Sequence, residues 1–212
     1  MALDTYANLK MAVGDWLNRA DLGATIPDFI AMAEAQLSRR LVMDGPVREM
    51  MGRADATIDS EFTALPGDFL GLRALQLAGA RQPLAVAEPE ELARLKTLYP
   101  SQTGAPSRFA ITGTTLQVWP WVEGGSYAAE MTYWKRIPAL SEAAPSNWLL
   151  QLHPDAYLYG ALLQSAPYLK DDVRLAVWGQ IFEAVIGDIV KASAIARTAP
   201  HLALSPVPSG TP

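Results

Sequence analysis

Trp178, Ile181, Phe182, Val185, Ile186, Ile189 and Val190 recur at three- and four-residue steps, so seven large apolar side chains share one broad stripe of a helix. A stripe that wide has to be buried against other elements. The expected partners are two helices at the opposite end of the chain and the helix that holds Tyr157. Tyr6, Leu9, Val13, Trp16, Leu17 and Ala20 predict a helix over about residues 4–20. Ile30, Ala33, Leu37 and Leu41 predict a second, ending near Met43 before Asp44-Gly45-Pro46. Thr25 is its expected N-cap, with Pro27 in the first turn and Asp28 three residues on. A further helix opens at Pro154 and Asp155 behind the apolar lead-in Asn147-Trp148-Leu149-Leu150. Proline loses no hydrogen bond in a first turn, and a carboxylate there meets the positive end of the helix dipole. Pro167 breaks that helix, and Asp171 or Asp172 starts the next.

Between these ends the pattern changes, because proline and glycine recur at short intervals and the apolar residues fall into short β-like runs. The candidate strands are 54–58, 62–65, 71–77, 82–86, 108–111, 116–119 and 127–135. Two hairpins are expected, one joining 71–77 to 82–86 through Ala78-Gly79-Ala80, the other joining 108–111 to 116–119 through Thr112-Gly113-Thr114. Pro89 and Glu90-Glu91 mark the start of a short helix running to Leu98. The expected fold class is therefore α+β, mainly α. A discontinuous helical bundle domain is formed by residues 1–45 and 141–196, a β-rich insertion domain spans 46–140, and an extended C-terminal arm spans 197–212. The arm holds four prolines and no acidic residue, too little apolar surface for a core of its own.

The chain of 212 residues is half hydrophobic, enough for one well-packed domain or two small ones. It has no cysteine, which excludes disulfides, thiolate metal sites and thiol chemistry. No apolar run reaches the roughly 20 residues that cross a bilayer. The start, Met1-Ala2-Leu3-Asp4, has neither the basic flank nor the apolar core of a signal peptide, so the expectation is a protein made in the cytoplasm with no membrane partner. A formal charge of -5 argues against a surface that grips phosphates, which needs clustered Lys and Arg.

The search for chemistry returns little. His153 lies in a helix lead-in and His201 in the arm, and neither has a second ligand at metal-binding spacing. Asp171-Asp172 and Glu90-Glu91 are neighbours in sequence, so on a helix they do not face each other as an acid/base pair would; helix-start charge explains both. Gly67, Gly71 and Gly79 make no phosphate-binding loop, and no G-x-S-x-G elbow is present. No catalytic, cofactor-binding or metal-binding residue is assigned. Trp119 and Trp121 flank Pro120 at a strand end and could stack on a base or sugar; with only Arg108 near in sequence, core packing or a protein interface is the stronger reading. Arg39-Arg40 and Arg48 read as solvated helix-end charge or a subunit contact.

Several segments, in order, resemble the head-to-tail adaptor proteins of tailed bacteriophages: Trp16 to Leu22 with Ile26 to Ile30, Ala33 to Leu41, Leu65 to Phe69, Gly104-Ala105-Pro106 leading into Phe109-Ala110-Ile111, Tyr133-Trp134-Lys135 with Pro138 to Ser141, and Asn147 to Asp172. The resemblance implies a structural virion protein, made in the host cytoplasm and placed at the neck. It implies a twelve-subunit ring of this chain between the portal protein and a tail or nozzle protein, with DNA passing through without sequence-specific binding. The arm is where such proteins reach towards the portal, which makes Arg197, His201, Leu202, Leu204 and Val207 portal-binding candidates. Arg108, Trp119 and Trp121 become candidates for a tail or subunit interface. An alternative function is a small soluble ligand-binding module using Trp119 and Trp121.

Overall fold

A computed structural model of the chain describes residues 3–45, 47–169 and 173–198, without the side chains of residues 20, 197 and 198. The described residues form six α-helices and two β-sheets, a mixed α+β fold. The chain divides into two compact units, one within Met1–Glu49 and Ile137–Pro212, the other Met50–Arg136.

In the first unit, α1 spans Tyr6–Leu17, a tighter range than the apolar periodicity suggests. The Thr5 hydroxyl accepts from the Asn8 N–H at 3.3 Å and sets the start. Asn18 adopts a left-handed backbone, φ 52°, and sets the end. Helix α2 spans Ile26–Met43. Thr25 immediately precedes it, but its hydroxyl makes no cap. The chain arrives through a 3-10 turn at Ala20–Leu22, Thr25 is already helical, and the extended geometry a capping hydroxyl needs is absent. The lead-in to the Pro154 helix is itself a short helix, α4, Trp148–Leu152. Helix α5, Pro154–Gln164, then follows after the single residue His153. It stops three residues before Pro167, which sits in a 3-10 turn at Ala166–Tyr168. Asp171 and Asp172 lie outside the described residues. The last helix, α6, spans Arg174–Thr198.

Helix α5 is central because it is apolar nearly all round: Ala156, Tyr157, Leu158, Gly160, Ala161 and Leu162 are buried, and α1, α2, α4 and α6 all pack on it. Gly160 makes the closest crossing. A Cβ there would lie 3.2 Å from both the Ala33 Cβ and a Phe182 ring carbon. The α6 stripe is narrower than its sequence pattern: Trp178, Phe182, Ile186 and Ile189 are buried, whereas Ile181, Val185 and Val190 are only partly covered. Its main neighbour is α5, the helix that holds Tyr157, with α2 beside it.

The second unit holds β1 (Met51–Ile58), β2 (Phe62–Ala64), β3 (Phe69–Leu77), β4 (Ala85–Val86), helix α3 (Pro89–Leu98), β5 (Arg108–Thr112), β6 (Thr115–Trp119) and β7 (Tyr127–Lys135). One sheet has the order β1-β7-β3 and the other β2-β6-β5-β4. Between them lies a core of Ile58, Leu75, Phe109, Leu116, Val118 and Met131. The hairpin of β5 and β6 forms as its Gly113 predicts, with φ 61° at that residue. The other expected hairpin does not. The turn at Ala78-Gly79-Ala80 exists, with Gly79 at φ 77°, but β3 pairs with β7 and β4 lies parallel to β5. Pro83 has no N–H to give to a ladder, so the returning segment keeps one bond to β3, from the Leu84 N–H to the Leu75 carbonyl at 2.8 Å.

Candidate interaction site

The three interface candidates of the second unit come together on the outer face of the β2-β6-β5-β4 sheet. Arg108 on β5 and Trp119 on β6 are cross-strand partners, so their side chains share that face. Helix α3 lies over it and packs Leu92 and Leu95 against Ala87, Ala110 and Trp119. The Trp119 ring is 6.4 Å from that of Tyr99 at 52°. Its indole Nε1 is buried without an acceptor among the described residues. The bond from Trp119 to Pro120 is cis, and the chain continues to Trp121, whose ring carries the Lys96 ammonium 5.5 Å from its centroid. Lys96 is ion-paired at 2.6 Å with Glu61, which also accepts from the Gln117 amide at 3.0 Å.

This arrangement decides what the two tryptophans can do. Both rings are half-buried and engaged by α3, and the Arg108 guanidinium is bound to the Glu91 carboxylate. The apolar side chains that remain open here are Phe62, Leu98 and Tyr99, each more than half exposed. That surface suits contact with another macromolecule better than enclosure of a small ligand.

The first unit contains a buried polar network. Glu34 on α2 is in the apolar interior, where its Oε1 accepts from the Tyr157 hydroxyl at 3.0 Å and from the Leu140 N–H at 2.8 Å. The Asn147 amide donates to the Tyr157 oxygen at 2.6 Å and to the Pro138 carbonyl at 2.7 Å, and its Oδ1 accepts from the Leu150 N–H at 2.9 Å, capping α4. Burial pushes the Glu34 carboxyl above its ordinary range, against the opposite pull of the Leu140 N–H and the Tyr157 hydroxyl. Burial, then the adjacent Glu34 charge, raises Tyr157 as well. The network ties residues 138–147, where the chain re-enters this unit, to α2, α4 and α5. A signal existed in the Ile30, Glu34, Leu37, Leu41 spacing, which puts a carboxylate inside an apolar stripe.

The other singled-out residues are placed as follows. His153 joins α4 to α5 and its N–H bonds the Leu149 carbonyl at 2.7 Å. Asp155 accepts from the Ala156 N–H at 3.0 Å in the first turn of α5. Arg40 is held by Asp44 and by both Glu183 oxygens, and Arg48 by Glu49. Their charge is therefore matched within the unit. Helix α6 runs through Thr198, so the helix enters the stretch expected to be an arm from residue 197. The Arg197 side chain and His201, Leu202, Leu204 and Val207 lie outside the described residues. Among the described residues no cluster of three or more His, Cys, Asp or Glu is placed to hold a metal ion, and no helix is long and apolar enough to cross a membrane.

A family model described as SU10 adaptor protein matches residues 4–204. The chain belongs to that family, which is one of phage head-to-tail adaptors and is structural rather than enzymatic. No curated protein sequence matches the chain.

Proposed function

We propose that this member of the adaptor family stands as a ring at the virion neck, between the portal protein and a tail or nozzle protein, and lets DNA pass. The match over residues 4–204 carries the reading. The charge of the chain supports it, since a formal -5 per copy, repeated around a channel, disfavours retention of phosphates. In this reading the helical unit is the bundle that packs copies together, and the residues beyond Thr198 form the portal-binding arm, with His201, Leu202, Leu204 and Val207 gaining burial and Arg197 at its root. The Phe62, Leu98 and Tyr99 surface, with Arg108, Trp119 and Trp121 bracing it, meets a tail protein or a neighbouring copy.

The test is a mixture of purified portal with either the full chain or a form lacking residues 199–212, viewed in negative stain. The full chain adds a ring of density to the portal and the shortened chain, still folded, does not. Portals left bare by the full chain refute the ring, and decoration by both forms refutes the arm.

A further inference from the structure

Helix α6 carries more apolar surface than its own unit covers. Val177 is 54% exposed, Ala184 is exposed and Ile181 only half-buried, although Trp178, Phe182, Ile186 and Ile189 already fill the core side. Steps of four and three place Val177, Ile181, Ala184, Asp188 and Lys191 in one row. The row ends in two charges that are about four-fifths exposed and 3.7 Å apart. Among the described residues nothing lies within 4 Å of where a Cβ on Gly187 would stand, so they leave that flank open. A helix apolar on two flanks calls for cover on both, and α5 and α2 cover only the core side.

A surface of matching form lies on α1. An open groove of about 590 Å³ runs beside it, with Gly14 and Ile26 in its lining, half-exposed Met11 next to them, and Lys10, Asp15 and Arg19 around the edge. Gly14 keeps the groove clear, since a Cβ there would already reach van der Waals contact with Ile26 at 3.4 Å. On that edge Lys10 is already paired with Glu142, and Arg19, just past the end of α1, with Asp21, which leaves the Asp15 carboxylate for a cation such as Lys191 on the α6 row.

We propose that the Val177 to Lys191 row of one copy seats in the α1 groove of a second copy, with Lys191 against Asp15. The proposal rests on the ring reading above and supplies its contact. Two different patches of one chain meet, so the interface is heterologous and repeats from copy to copy until a ring closes. Apolar side chains give the contact its area, and the charges set its register.

The test is self-association of the full chain, followed by analytical ultracentrifugation over a range of concentrations, alone and on purified portals. Lys191→Glu and Asp15→Lys each weaken association by roughly tenfold or more, and the two together bring it back to within about threefold of the unaltered protein. Val177→Asp weakens it as far while the far-ultraviolet circular dichroism stays helical; should that variant misfold, the charge exchange decides alone. Single variants that associate like the unaltered protein, or a combined variant no better than either single one, overturn the interface while leaving the ring. So does loss of portal binding with self-association intact, which assigns the row to the portal. An unaltered chain that stays monomeric even on portals overturns the ring reading and the interface with it.

Discussion

Replacing Glu34 tests the buried network and the return of the chain in one experiment. Glu34→Ala leaves the Tyr157 hydroxyl and the Leu140 N–H without their acceptor, in surroundings where Tyr157 and the neighbouring Ala33 and Leu37 are fully buried. A stranded buried donor costs about 1–3 kcal/mol. Two such donors are stranded here, and removing a buried charge returns part of their cost, so the net loss is about 2–4 kcal/mol at neutral pH. Glu34→Gln keeps an acceptor oxygen in place and removes only the charge. Because burial raises the folded-state pKa of Glu34, the folded protein holds its proton more tightly than the unfolded chain. The wild-type protein therefore loses stability as pH rises from the ordinary carboxylate range through the raised value. The Gln variant lacks that loss, so it gains on the wild type as pH goes from about 4 to about 7. Urea midpoints by circular dichroism across that range measure both effects. An Ala variant within about 0.5 kcal/mol of wild type, or a Gln difference that does not move with pH, refutes the network as a structural clamp.

Three further outcomes follow from the packing. Phe182, 1% exposed, fills the crossing of α5 and α6, and Phe182→Ala lowers the unfolding free energy by roughly 3–5 kcal/mol in urea titrations. Gly160→Ala improves intrinsic helix propensity yet lowers the thermal midpoint, because a Cβ 3.2 Å from Ala33 and the Phe182 ring pushes both away from α5 at a cost of roughly 1–3 kcal/mol. Asn18→Val, at a left-handed φ of 52°, destabilises by roughly 1–2 kcal/mol while Asn18→Gly does not, as paired thermal melts show.

The sequence made visible what local rules govern. Helix α3 begins and ends at Pro89 and Leu98 and β7 runs from Tyr127 to Lys135, as read, because each has signals at both ends. The β5–β6 hairpin is equally local, set by Gly113. What escaped was decided at a distance. The Ala78-Gly79-Ala80 turn looks like a hairpin, but β3 finds a better partner in β7, which offers nine residues where the returning segment has Pro83 and two residues of strand. Glu34 meets Tyr157 123 positions later, so spacing could show a carboxylate in a stripe and not its partner. Trp119 and Trp121 alternate onto the face expected of a binding surface, yet their rings are occupied by Lys96 of α3 and by Tyr99 just beyond its end. The adaptor resemblance drew on segments spread along the chain and survived these local errors, since pairing mistakes leave the order of the segments untouched.

Position in the particle tests the central claim most directly. Virions assembled with a chain carrying a small electron-dense label after residue 3 are imaged by electron microscopy. The account predicts label at one vertex of each head, where the tail joins, in a ring of copies. Label spread over the capsid shell, along the tail, or absent from finished particles would contradict it.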